Sequence, residues 1–160
     1  MHQLYLSLGS NLGDREHMLQ EALRLIGEDI GNVIRVSSFV ETRPWGYESE
    51  HLFLNAACKV ETTLSPMECL HVTQEIERRL GRTVKSHDGY CDRPIDIDLL
   101  SYDDVRMDTP ELTLPHPRMH ERDFVMIPLK EITQNHVDRF DCLQPHEKML
   151  KSYEKVSLYL

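Results

Sequence analysis

Two carboxylates alternate along one short apolar run, Asp96 and Asp98 in Arg93-Pro94-Ile95-Asp96-Ile97-Asp98-Leu99-Leu100. Side chains of a β-strand point to opposite faces in turn, so both acids share one face, roughly 6 to 7 Å apart along the backbone, while Ile95, Ile97 and Leu99 fill the other. Aspartate is depleted in strands, and a strand that buries one face while presenting two acids on the other calls for a cation. Arg93, just upstream, can clamp an anion with its planar guanidinium, and the whole pattern suits Mg²⁺ held together with a phosphate. The plainer reading is an antiparallel strand with one wet face, its aspartates merely solvated.

Other residues fit the same chemistry less specifically. Glu77 is a third candidate acid, equally readable as a surface residue pairing with Arg78 to Arg82 along its own helix. Arg82 and Lys85 stand at the root of a loop, 82–92, that holds few core-forming residues and is expected to be exposed and mobile. There they could reach phosphates, although an ordinary solvated charge run reads the same way. In Leu114-Pro115-His116-Pro117-Arg118 two prolines fix the backbone around a histidine, which could donate to phosphates with Arg122 nearby, or be structural. Phe53 and Phe124 would ordinarily count as core, with Trp45 a loop residue covering it. Two aromatics flanking the Asn55 amide would also make a slot for a flat heterocycle, stacking on its faces and reading its edge.

Composition narrows the classes. The chain has 160 residues, 40% hydrophobic and 28% charged, and a formal net charge of −9. This is the profile of one soluble domain with a single core, and we take 1–160 as that domain. The negative charge argues against a general nucleic-acid binder, which needs a basic face. The basic residues are nonetheless uneven, with Arg78, Arg79, Arg82, Lys85 and Arg93 crowded just ahead of the acid pair. Cys58, Cys69, Cys91 and Cys142 show no CxxC pairing or Cys/His ligand spacing, so free thiols are expected. Neither a basic-then-apolar leader nor a run of membrane-spanning length is seen, so no membrane association and a cytoplasmic setting are expected. A monomer is expected too, for want of a long apolar surface stripe.

The elements that must position these residues follow from period and punctuation. Leu4, Leu6 and Leu8 alternate with Tyr5 and Ser7, a strand ending at Gly9. Gly9-Ser10-Asn11-Leu12-Gly13-Asp14 is a turn, with Asp14 placed to cap a helix carrying Leu19, Ala22, Leu23 and Ile26 that stops near Gly31. A strand at about Val33 to Glu41 and a partner from Phe53 to Thr62 follow. Ser65, Pro66 and Glu68 form a capping-box start for a helix ended by Gly81. Strand Ile95 to Ser101 turns at Tyr102-Asp103-Asp104 into a short strand at Val105 to Met107, and a short helix is expected at roughly Glu121 to Glu131. The last thirty residues carry only a weak helical signal. The order strand, helix, strand, strand, helix, strand is the split βαβ pattern of ferredoxin-like sheets, giving an α+β sandwich with a largely antiparallel sheet and helices packed on one face.

These pieces coincide in one family. The chain resembles 6-hydroxymethyl-7,8-dihydropterin pyrophosphokinase from its first strand to about Leu129, through Leu8-Gly9-Ser10-Asn11-Leu12-Gly13, Ser37-Ser38-Phe39 leading to Thr42, Phe53-Leu54-Asn55-Ala56-Ala57, and Ile76-Glu77 through Gly81-Arg82. The series continues with Arg93 to Leu100, Leu114-Pro115-His116-Pro117 and Arg122-Asp123-Phe124-Val125. Any one segment could be chance, but the whole series in one order is specific. Residues 131–160 match only loosely.

The resemblance implies transfer of pyrophosphate from ATP to the hydroxymethyl oxygen of the pterin, leaving AMP, in folate biosynthesis. It implies that Asp96 and Asp98 hold two Mg²⁺ ions, with Arg82 and Arg93 joining them in catalysis. Asn55 would read the pterin edge, Phe53 and Phe124 sandwich its ring, and Thr42, Pro44 and Trp45 complete the pocket. Gln74, Glu77, Arg82, Lys85, Tyr90, Arg93, Thr113, His116 and Arg122 would hold the nucleotide. The chain departs from the family in its loop, Val84-Lys85-Ser86-His87-Asp88-Gly89-Tyr90-Cys91-Asp92, where further arginines and a Trp-Gly-Pro segment are expected. Tyr90 then stands in as the aromatic lid, and Lys85 with His87 as substitute cations. Glu111 occupies a place where a basic nucleotide contact is sometimes found.

Two other classes compete. A different metal-dependent transferase, nucleotidyl or glycosyl, would use the aspartate pair but give no role to Phe53, Asn55 and Phe124. A ferredoxin-like ligand-binding or RNA-binding module would want aromatics and basic residues across the sheet, where this chain has acids.

Overall fold

The first strand, β1 (His2–Ser10), runs through the middle of the sheet because Leu4, Leu6 and Leu8 alternate along it and are fully buried on one face. It is seen in a computed structural model that describes residues 1–43, 51–81 and 94–133. Helix α1 (Arg15–Asp29) follows, then β2 (Gly31–Val36), β3 (Val40–Thr42), β4 (Phe53–Thr62), α2 (Pro66–Arg79) and β5 (Asp96–Tyr102). A two-stranded hairpin, β6 (Met107–Asp108) with β7 (Thr113–Leu114), leads through a 3-10 turn (Met119–Glu121) into α3 (Asp123–Thr133).

The strand order is β2-β4-β1-β5, with β3 also paired to β4, and every pairing is antiparallel. This is the α+β ferredoxin-like arrangement expected from the order of elements. Leu19, Ala22, Leu23 and Ile26 of α1 and Cys69 and Ile76 of α2 bury against the leucines of β1 and against Leu54, Ala56, Cys58 and Val60 of β4. The α2 start is the expected capping box: Ser65 Oγ accepts the Glu68 N–H at 3.2 Å, Glu68 reaches back to the Ser65 N–H, and Pro66 occupies the first turn.

Three expectations change. The helices do not all lie on one face: α3 packs across the other side, where Val125, Leu129 and Ile132 cover Ala57 and Leu100. An amphipathic stripe says that a helix buries one face, not which side of the sheet receives it. The strand expected from Val33 to Glu41 is broken after Val36, because three residues, Ser37 to Phe39, span a gap opposite two of β4. Ser37 Oγ accepts the Ala57 N–H at 2.8 Å, while the Ser38 N–H turns away to Glu131 Oε2 at 2.9 Å. The short strand expected at Val105 to Met107 forms at Met107–Asp108 and pairs with β7, and the last helix runs Asp123–Thr133.

A bulge also shapes β5. Leu6 pairs with Leu99 but Tyr5 with Ser101, so Leu100 is the extra residue and joins the α3 side. Tyr102 thereby returns to the first core, and its hydroxyl donates to the Leu64 carbonyl at 2.8 Å. Among the described residues no helix is long and apolar enough to cross a membrane. The described cysteines, Cys58 and Cys69, are free and buried, and burial pushes their thiols up to about 12 and about 11.

Candidate active site

The register of the sheet brings the two halves of the expected site into one row. Gly9 of β1 pairs with Asn55 of β4 on one side and with Asp96 of β5 on the other. Adjacent strands lie about 4.8 Å apart, so the amide-bearing and acid-bearing positions stand about 10 Å apart with no side chain between them. One step back, Ser7 lies between Ala57 and Asp98. All of these positions are on the sheet face opposite the leucine core. The β5 alternation is as the sequence predicts: Ile95, Ile97 and Leu99 are buried, and Asp96 and Asp98 are half-buried.

Gly9 is needed there as a spacer. A methyl group built on it would sit 3.0 Å from Asn55 Oδ1 and 3.4 Å from Phe53 Cδ1. Asn55 itself is 2% exposed and cannot swing away, because its Nδ2 donates to Thr42 Oγ1 at 2.7 Å and to the Val40 carbonyl at 3.3 Å. Both amide protons are thus spent on β3, and Oδ1 is left on the Gly9 side as an acceptor. Thr42 and Phe53, the final pair of the β3–β4 ladder, complete this end.

Glu77 is buried, and its Oε2 accepts the Ile97 N–H at 3.0 Å. Since β5 is the terminal strand, this N–H faces the free edge of the sheet, and the carboxylate covers it from α2. The carboxylate is thus a buried group held against the backbone between the aspartates, rather than a solvated surface charge. Gln74, one turn earlier on α2, is half-buried.

His116 lies beyond β7, its N–H donating to the Leu100 carbonyl at 2.8 Å. Its Nδ1 accepts the Arg118 N–H at 3.2 Å, which leaves Nε2 to carry the proton of the neutral ring. Burial first, then Arg122, holds the imidazole below its ordinary value, opposed by Asp96 and reinforced by Arg118. His116 therefore shares a field with Asp96 and Arg122 and stays a neutral donor. The Arg122 guanidinium lies 5.7 Å from the centre of the Phe124 ring, and its carbonyl accepts the Val125 and Met126 N–H groups that open α3. Phe124 packs half-buried beside Val125 and Leu129. Thr113 lines an open groove of about 530 Å³ together with Arg106, Met107, Asp108, Leu114 and Pro115.

Pro44, Trp45, Arg82, Lys85, His87, Tyr90 and Arg93 lie outside the described residues, as does the segment from 134 to 160. Glu111 is exposed in the turn between β6 and β7. Two residues that sequence reasoning missed are Gly9 as a spacer and Arg15, which bonds Leu52 and Glu41 near the Thr42 end. The only local sign of either was the turn composition around them.

Among the described residues no cluster of three or more His, Cys, Asp or Glu side chains forms a metal cage. Mg²⁺ seldom uses one: it keeps several waters and takes one or two carboxylates together with substrate phosphates. Two hard oxygen donors on one strand face fit that mode.

The model of the family described as 7,8-dihydro-6-hydroxymethylpterin-pyrophosphokinase (HPPK) matches residues 5–134. A 2-amino-4-hydroxy-6-hydroxymethyldihydropteridine pyrophosphokinase of Porphyromonas gingivalis is 52% identical over 131 residues, covering 81% of this chain and 89% of the relative. The protein of the same name from Bacillus subtilis is 46% identical over 131 residues, covering 81% and 77%. Among solved structures, wild-type HPPK-DHPS of Plasmodium falciparum with pteroate superposes with a TM-score of 0.64 at 18% identity, over 81% of this chain. That likeness shows the fold, and the chain spans only 38% of the length of that protein.

Proposed function

The chain belongs to the 7,8-dihydro-6-hydroxymethylpterin pyrophosphokinase family, and on that premise we propose which of its residues carry the reaction. The reaction is pyrophosphoryl transfer from ATP to 6-hydroxymethyl-7,8-dihydropterin in folate biosynthesis. The pterin hydroxymethyl oxygen bonds to the β-phosphorus, the bridging bond to the α-phosphate breaks, and AMP leaves while the hydroxyl proton passes to water.

The observation that carries the assignment is the row Asn55, Gly9, Asp96. It supports a flat ligand lying over the glycine, its edge read at β4 and its hydroxymethyl arm directed toward the acids of β5. Asn55 Oδ1 accepts from a donor on the pterin edge. Thr42 and Phe53, with Pro44 and Trp45, enclose that end, and Phe124 stacks from α3. Phosphates meet His116 Nε2–H and Arg122, and the groove beside Thr113 takes the nucleoside. Gln74, Arg82, Lys85, Tyr90 and Arg93 complete the nucleotide side, with Arg82 and Arg93 neutralising the transferred group. Catalysis is then positioning and charge neutralisation, with no covalent intermediate.

Asp96 and Asp98 hold Mg²⁺, two ions in this reading, which when bound supply neutralisation of the phosphate oxygens. Glu77 keeps the strand edge between the two acids satisfied, so their spacing is fixed before substrate arrives. Among the described residues Met1 and Ile34 are the large hydrophobics that stand exposed, which supports a monomer, and a cytoplasmic setting fits free thiols.

The test is to incubate the purified protein with ATP, Mg²⁺ and 6-hydroxymethyl-7,8-dihydropterin and identify the nucleotide product. AMP is expected, and Asp96→Ala and Asp98→Ala should each abolish it in a folded protein. ADP as the sole product, or full activity in either variant, would overturn the assignment.

A further inference from the structure

Asn11 and Arg15 flank the turn that joins β1 to α1, and both reach across to the chain just ahead of β4. Asn11 Nδ2 donates to the His51 carbonyl at 3.2 Å, and Arg15 Nη1 to the Leu52 carbonyl at 2.9 Å. The other arm of the same guanidinium, Nη2, bonds Glu41 Oε2 at 2.8 Å. Glu41 immediately precedes Thr42, and Leu52 immediately precedes Phe53. One guanidinium therefore joins the two chain ends where the β3–β4 ladder stops.

The residue types suit that task. A guanidinium carries several N–H groups in a rigid planar fork, so one donor can serve a carbonyl while another serves a carboxylate. A lysine ammonium offers one flexible point. Arg15 and Glu41 are each only 23% exposed, which shields their attraction from salt. Strand β3 has three residues, too few to hold its end firmly by ladder bonds alone. The fork is itself anchored. Arg15 is the first residue of α1, Asp14 caps that helix by accepting the His17 N–H at 3.1 Å, and Gly13 at φ +70° makes the preceding turn.

We infer that Arg15, seconded by Asn11, is a positioning residue for the pterin slot. It sets the separation of Thr42 and Phe53 and thereby the affinity for the pterin, without touching substrate. The inference rests on the assignment of Thr42, Phe53 and Asn55 to the pterin. Its bonds lie at the β3–β4 end of the sheet, while Glu77 and His116, assigned to the nucleotide, bond the backbone of β5 beyond β1. The effect should therefore fall on one substrate.

The experiment is steady-state kinetics on the full chain, each substrate varied in turn, for Arg15→Ala, Arg15→Lys, Asn11→Ala, Glu41→Gln and the double variant R15A/E41A, with Asn55→Ala as reference and thermal unfolding as a check on folding. Arg15→Ala should raise the pterin KM about tenfold or more and leave the ATP KM within about twofold. Arg15→Lys should recover little, and R15A/E41A should resemble R15A alone, since both remove the same bond. A folded R15A with unchanged pterin KM, or with both KM values raised alike, overturns the inference. If R15A does not fold, Asn11→Ala removes one leg of the bracket and Glu41→Gln takes the charge from another, and each is judged by the same split. An unchanged pterin KM in Asn55→Ala sinks the slot assignment and the bracket with it. A rise in Asn55→Ala without one in the bracket variants overturns the bracket alone.

Discussion

Glu77 Oε2 accepts the Ile97 N–H at 3.0 Å, so a helix carboxylate sits against the strand backbone between Asp96 and Asp98. The bond satisfies a donor on the free edge of β5 and ties α2 to the strand that carries both acids. Glu77→Ala leaves that N–H without its partner, which should lower stability by about 1–3 kcal/mol. The ATP KM should rise more than the pterin KM. Denaturant unfolding and two-substrate kinetics check this, and wild-type stability in the variant would mean that solvent serves the N–H equally well.

Gly9 is the next point of leverage. With Asn55 held by two bonds to β3, a methyl at Gly9 presses on the one atom of the amide left for a ligand. Gly9→Ala should cost about 1–3 kcal/mol as overpacking and weaken pterin binding more than ATP binding. Equilibrium titration with each substrate measures the difference. Equal affinities in variant and parent would show that the amide gives way without consequence.

Glu131 fastens the far side of the same region. Its carboxylate accepts the Ser38 N–H at 2.9 Å and the Ser38 hydroxyl at 2.7 Å, while the Arg35 guanidinium donates to the Ile132 carbonyl at 3.1 Å. Together these hold α3 over the break between β2 and β3. Glu131→Ala should lower stability by about 1.5–3 kcal/mol, as hydrogen bonds to a charged group do, and Glu131→Gln by less. Unfolding midpoints of the two variants test the order.

At the end of the sheet Asp103 links β5 to the chain start. The Gln3 N–H, first, and then the His2 side chain hold its carboxyl below the ordinary 3.8. The unfolded chain lacks both partners and binds a proton more readily. This contribution to stability is therefore present above 3.8 and is lost as pH falls through the lowered native value. Asp103→Asn keeps the side-chain shape and tolerates the φ of +47°, yet cannot ionise. Wild type should exceed the variant in thermal midpoint near neutral pH, with the gap shrinking below about pH 3.8. A gap of constant size across that range would refute an ionic origin.

Much of this was legible in local pattern. Alternation gave β1, β4 and β5 their buried faces and put Asp96 and Asp98 on one side. The triplet Ser65, Pro66 and Glu68 marked the start of α2, because a cap is made by residues within one turn of each other. Glu77 was not legible in the same way. Its sequence neighbours are arginines, whereas one of its partners is the backbone N–H of Ile97, on another element.

The sequence by itself determined the order of elements, the acid pair and, through its ordered motifs, the family to which the chain belongs, since each rests on neighbours along the chain or on residue identity alone. Tertiary structure decided that α3 covers the second face, that the strand before Thr42 breaks at Ser37 to Phe39, and that Gly9 separates Asn55 from Asp96. It also decided that Arg15 spans Glu41 and Leu52. Those relations join elements far apart in the chain, and they exist only once strand register and helix packing have brought them to hydrogen-bonding or van der Waals distance.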